Sequence, residues 1–95
     1  MKIIVFDCDS TLSAIEGIDE LARMRGPETF EKIEALTNAA MNGEVPIDQI
    51  FARRLDIIQP DQAACRAVGK MYIEQIEPTA EATLSKLREA GWTPV

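Results

Sequence analysis

Ile3-Ile4-Val5-Phe6 is apolar at every position and largely β-branched, and no other feature constrains the fold of this chain as much. A strand that faces water on one side alternates apolar and polar residues. A continuous apolar run reads instead as a strand covered on both faces, as at the centre of a parallel sheet. Such a strand needs neighbours, yet the periodicity from Ser13 to Gln75 is helical and holds no second strand candidate. That stretch breaks at Gly26-Pro27, Gly43 to Pro46, Gln59-Pro60 and Glu77-Pro78, where Pro stands at or before a helix start or Gly follows a helix end. The breaks predict four helices, over 14–25, 28–42, 47–58 and 61–76. From Thr79 to Ala90 a further helix sets Ala80, Leu84 and Leu87 on one stripe. It stops at Gly91 and leads into Trp92-Thr93-Pro94-Val95, the opening of a second strand.

The order strand, four-helix insert, helix, strand start defines an α/β class that is mostly α in this chain. The expected division is 1–13 for the core strand and its loop, 14–77 for an inserted helical domain, and 78–95 for a core helix and the next strand. A doubly covered strand with a four-residue partner predicts that the chain is the amino-terminal part of a larger α/β protein. Its 95 residues allow one compact unit at most on size alone. Ten Lys and Arg against 16 Asp and Glu give a net charge of −6, which argues against nucleic acid or an anionic membrane as the main partner. Two cysteines far apart, Cys8 and Cys65, and no signal segment before Ile3 point to a reducing, cytoplasmic setting.

With no histidine, the commonest general base and zinc ligand are missing. Chemistry must then run on carboxylates, cationic side chains, hydroxyls and a hard metal. The carboxylates concentrate in Asp7-Cys8-Asp9-Ser10-Thr11, at the carboxyl end of the apolar strand, where open α/β sheets bind ligands. Two carboxylates two residues apart suit phosphoryl transfer, one attacking phosphorus and the other moving a proton, with Mg²⁺ offsetting the charge. A polar turn in which Asp and Ser cap the next helix is the plainer alternative. A calcium loop starting at Asp7 would need Gly at Leu12 and Glu at Ile18, so that fit is poor.

Over its whole length, through V-F-D-C-D-S-T, E-G-I-D-E-L-A, A-M-N-G-E-V-P, the R-R-L segment and I-E-P-T, the chain resembles the haloacid dehalogenase superfamily of aspartate-nucleophile phosphatases, and within it the phosphoserine phosphatase family. The resemblance implies a Rossmann-like core with a four-helix cap over residues 14–77. It implies that Asp7 is the nucleophile, forming an aspartyl-phosphate, and that Asp9 is first acid and then base. Mg²⁺ would be held by the Asp7 carboxylate and the Asp9 main-chain carbonyl. The implied substrate is a small phosphorylated amino acid. The family also needs a Ser or Thr loop after its second strand, a phosphate-binding Lys and a further Asp pair, none of which can be placed before Val95.

Ser13 and Glu16 fit the S-x-x-E capping box at the start of the first helix. The resemblance instead gives Glu16, first residue of Glu16-Gly17-Ile18-Asp19-Glu20, the substrate's amino group. Arg54 falls in the middle of the face formed by Ile47, Ile50, Phe51 and Ile58, where an unpaired guanidinium is out of place. It must be paired with another helix, extend its head to solvent, or face an anion, and the resemblance assigns it the substrate carboxylate. Met41 and Ile47 bracket the turn Asn42 to Pro46 and read as core or interface residues. In the family both positions press on the substrate, with Phe the commoner residue at the second. Cys8 reads as a small buried residue and Cys65 as part of a core stripe with Ala64, Val68, Met71 and Tyr72.

Alternatives from other classes are a signalling receiver, a noncatalytic helical interaction fragment, and a related phosphatase or phosphotransferase for another small phosphorylated metabolite. A receiver would place its second strand within about 30 residues of the first, against the long helical interval found here. An uncovered strand end also predicts self-association through exposed edges.

Overall fold

The computed structural model describes all residues from Met1 to Val95. Its elements are β1 (Lys2–Ile4), α1 (Gly17–Arg25), α2 (Pro27–Met41), α3 (Ile47–Ile58), α4 (Gln62–Glu74), α5 (Ala80–Glu89) and β2 (Trp92–Pro94). They divide into two compact units, Met1–Ile15 with Lys70–Val95, and Glu16–Gly69, so that α4 contributes residues to both. No helix is long and apolar enough to cross a membrane.

The helical unit is built on chain punctuation. Gly26, at φ +122°, turns the chain between α1 and α2, and Pro27 opens α2 with a φ already suited to a helix. Asp19 and Glu20 in the first turn of α1, and Arg23 and Arg25 in its last, match the helix dipole. Arg25 also donates Nε to the Ile58 carbonyl at 2.9 Å and Nη2 to the Gln59 carbonyl, covering acceptors that the end of α3 leaves open. Leu21 and Ala22 of α1, Ile33 and Ala40 of α2 and Ile58 of α3 are the buried hydrophobic side chains of these helices. Full burial of Ile33 and Ile58 contributes about 1.5–3 kcal/mol each, before the cost of ordering the chain.

In the other unit β1 and β2 pair in parallel, with Lys2 opposite Trp92, Ile3 opposite Thr93 and Ile4 opposite Pro94. Val95 N–H donates to the Ile4 carbonyl at 2.9 Å and Phe6 N–H to the Val95 carbonyl at 2.8 Å, which continues the pairing towards Asp7. Helix α5 packs on β2, and Gly91, at φ +91°, lets the chain leave α5 for the strand.

Four expectations need correction. The assigned strand is Lys2–Ile4 rather than Ile3 to Phe6, with main-chain bonds to Val95 carrying the pairing on as far as Phe6. Ile3, 53% exposed, and Val5, 76% exposed, are open as expected of an apolar strand with a single neighbour in this chain. The first helix starts at Gly17 rather than at 14, because residues 9–15 make bridges and turns of their own. Helix α4 ends at Glu74 rather than 76, since Ile76 pairs with Ser13 and the Glu77 amide bonds to the Leu12 carbonyl. Both cysteines are exposed. Cys65 lies about 60° round the helix from buried Val68, at the flank of the stripe rather than its centre.

Candidate active site

The loop after β1 turns on a few main-chain bonds. Thr11 and Ser13 both donate to the Cys8 carbonyl, at 3.2 and 3.1 Å, and Ser10 donates to the Ile15 carbonyl at 3.0 Å. Ser10 sits at φ +56°, a left-handed conformation that costs a non-glycine residue about 1–2 kcal/mol and persists here because these bonds close around it. The loop is also fastened to the segment after α4, through Ala14 N–H to the Gln75 carbonyl at 2.9 Å and Glu77 N–H to the Leu12 carbonyl at 2.8 Å.

Ser13 is the most buried polar residue of this loop, at 2% exposure. Its hydroxyl donates to the Tyr72 carbonyl at 2.9 Å, with the Gln75 carbonyl at 3.4 Å. The capping box expected of Ser13 and Glu16 is therefore not formed. Glu16 itself is the N-cap of α1, in extended conformation, and no side-chain bond caps that helix. A buried hydroxyl satisfies carbonyls near the end of α4 instead, where the helix ladder has run out.

These constraints present Asp7 and Asp9 differently. Asp7 is exposed, and its Oδ1 accepts the Cys8 amide at 2.9 Å. Asp9 is half-buried, and its Oδ1 accepts the Tyr72 hydroxyl at 2.7 Å. An exposed carboxylate at a strand end can approach an electrophile, whereas one held by a phenol is oriented to give or take a proton. Tyr72 drew attention in the sequence only as part of an apolar stripe. The usable signal was that a tyrosine on a packed helix face takes a hydrogen-bond partner for its hydroxyl.

The remaining candidates all lie in the helical unit. Met41 ends α2 and Ile47 opens α3, and both side chains are exposed. Neither is core. Arg54 is half-buried on α3, and its Nε is buried without a hydrogen-bond partner. Arg53, by contrast, is exposed and donates to Gln49 Oε1 at 2.8 Å. Glu16 is exposed where the two units divide in sequence.

The donor set around Asp7 and Asp9 is hard oxygen, which suits Mg²⁺, but no group of three His, Cys, Asp or Glu side chains forms a metal cluster. These residues can supply part of an octahedral shell.

Comparison with known proteins agrees with the architecture. No family model matches the chain. It is 37% identical over 93 residues to phosphoserine phosphatase of Methanocaldococcus jannaschii, an alignment covering 96% of this chain and 42% of that protein. The crystal structure of a HAD-family hydrolase from Salmonella enterica serovar Typhi superposes with a TM-score of 0.82 at 32% identity, over 98% of this chain and 31% of the other. A structure described as a phospho-aspartyl intermediate analogue of phosphoserine phosphatase superposes with a TM-score of 0.72 at 32% identity, over 98% of this chain and 43% of the other. The chain spans about two fifths of the length of the curated relatives it matches. The partial α/β fold and these matches place the chain in the haloacid dehalogenase superfamily. Within that superfamily it is similar to the phosphoserine phosphatases.

Proposed function

We propose that the protein carrying this chain hydrolyses O-phosphoserine to serine and phosphate, a serine-forming step in the cytoplasm, through a phosphate ester on Asp7. The observation that carries this reading is the pair Asp7 and Asp9 on one loop at the end of β1, the first exposed and the second held by Tyr72. The Asp7 carboxylate attacks phosphorus. Asp9 gives its proton to the departing serine oxygen, then takes one from the water that cleaves the acyl phosphate. The Asp7 carboxylate and the Asp9 carbonyl would hold Mg²⁺, which when bound offsets the repulsion between carboxylate and phosphate.

The helical unit supplies recognition. Arg54, with its unpaired Nε, binds the substrate carboxylate, and Glu16 binds the ammonium. Met41 and Ile47, exposed on either side of one turn, provide apolar contact. The test is Asp7→Asn in the whole protein, followed by phosphoserine turnover and by trapping of an acid-stable, hydroxylamine-sensitive phosphoenzyme. Both should vanish. Residual turnover within about tenfold of wild type removes Asp7 from the nucleophilic role, because nucleophile removal costs far more than that.

A further inference from the structure

We propose that Tyr72 is the positioning residue of Asp9, fixing Oδ1 of its carboxylate so that Oδ2 carries the proton that moves in both halves of the reaction. The inference deepens the functional reading above and rests on it.

Residue 72 is tied to the Asp7–Ser13 loop at two points. Its hydroxyl lies 2.7 Å from Asp9 Oδ1, and its carbonyl accepts the Ser13 hydroxyl at 2.9 Å. Ser13 is itself buried and bonded through its amide to the Cys8 carbonyl at 3.1 Å, so the ring of contacts closes within one compact unit. Tyr72 therefore stands in a fixed relation to the loop that carries both aspartates.

An ionised carboxylate only accepts hydrogen bonds, so the phenol is the donor. The same bond survives protonation of Asp9. A carboxylic acid with its hydrogen on Oδ2 still presents Oδ1 as an acceptor. In the first half, an Asp7 carboxylate oxygen bonds to phosphorus as the bond from phosphorus to the serine oxygen breaks, the electron pair of that bond stays on the serine oxygen, and the Oδ2 proton moves to it. In the second, a water proton moves to Oδ2 as the water oxygen bonds to phosphorus and Asp7 departs as carboxylate. Atoms and charges balance across the two halves with the phenol unchanged. An aspartate has two side-chain torsions, and removing that freedom holds the acid in line for transfer.

The test is a cycle of wild type, Tyr72→Phe, Asp9→Asn and the double variant in the whole protein, with kcat and KM measured on O-phosphoserine and Asp7→Asn as a control. Tyr72→Phe removes one oxygen and keeps the ring. It should lower kcat by about tenfold or more, a share of the usual benefit of acid–base catalysis, with KM within about twofold. In the Asp9→Asn background the same change should alter kcat by less than about twofold, since no carboxylate remains to be positioned. Losses that multiply in the double variant, or a Tyr72→Phe enzyme within about twofold of wild-type kcat, overturn the proposal. A wild type without turnover, or Asp7→Asn with it, overturns the functional reading instead, and this inference with it.

Discussion

Replacing Arg54 by Met should move stability and recognition in opposite directions. Arg54 Nε is buried with no acceptor, and a buried polar group left unsatisfied costs about 1–3 kcal/mol. Met keeps an unbranched stem among Ile50, Phe51 and Ile58 on the same helix and removes the donor. The free protein should gain up to about 1 kcal/mol, much as buried ionic groups can be exchanged for apolar ones without loss. Under the proposed function, the phosphoserine carboxylate is the acceptor that Nε lacks. A hydrogen bond between charged groups is worth about 1.5–3 kcal/mol, so kcat/KM for O-phosphoserine should fall roughly 12- to 160-fold. Phosphoethanolamine has no carboxylate and should lose less than about twofold. Urea unfolding gives the first quantity and initial rates on the two substrates the second. Equal losses on both substrates, or a Met variant destabilised by more than about 1 kcal/mol, would show that Arg54 is a structural residue and refute the argument.

Ser13→Ala should cost about 1–2 kcal/mol in urea unfolding, because a buried hydroxyl that reaches the Tyr72 carbonyl is lost while the Gln75 carbonyl keeps the Ala14 amide. A cost under about 0.3 kcal/mol would mean that the main-chain bonds alone hold this loop. Residues 1–95 expressed alone should show no phosphoserine turnover and a solution mass above the monomer, since Ile3 and Val5 lie exposed on a two-stranded sheet. A monomer with robust turnover would contradict both halves of that statement.

The parts of the fold legible in the sequence are those set by local rules. Gly26-Pro27 and Gln59-Pro60 fix helix ends whatever the helices pack against, and α3 runs over Ile47–Ile58 as its periodicity indicates. The parallel pairing of β2 with β1 followed from a short β-prone segment after Gly91. What could not be read were contacts between residues distant in sequence. Ser13 has the spacing of a capping box, but its hydroxyl reaches carbonyls 59 and 62 residues away. No local pattern encodes that choice. Tyr72 is the same case, its partner Asp9 standing 63 residues earlier. Asp7 and Asp9 stood out in the sequence because acidic residues concentrate at the strand end, and the structure sets both on one loop. Arg54 stood out as a charge amid an apolar face, and its Nε is buried without a partner.

The unit that holds the aspartates is assembled from two distant pieces of chain, 1–15 and 70–95, with Glu16–Gly69 between them. This has a kinetic meaning. Pairing Lys2 with Trp92 in an unfolded chain closes a loop of about 90 residues, whereas α1, α2 and α3 meet through near neighbours. The helical unit should therefore collapse first, replacing a long floppy loop with a compact spacer, and the strand pairing should follow. Hydrogen-exchange labelling during refolding would then protect the amides of Ile33 and Ile58 before those of Phe6 and Val95. The loop of Asp7 and Asp9 would be among the last segments to acquire its shape, because the Tyr72 bonds to Asp9 and Ser13 and the main-chain bonds of Gln75 and Glu77 reach it from the carboxyl-terminal piece.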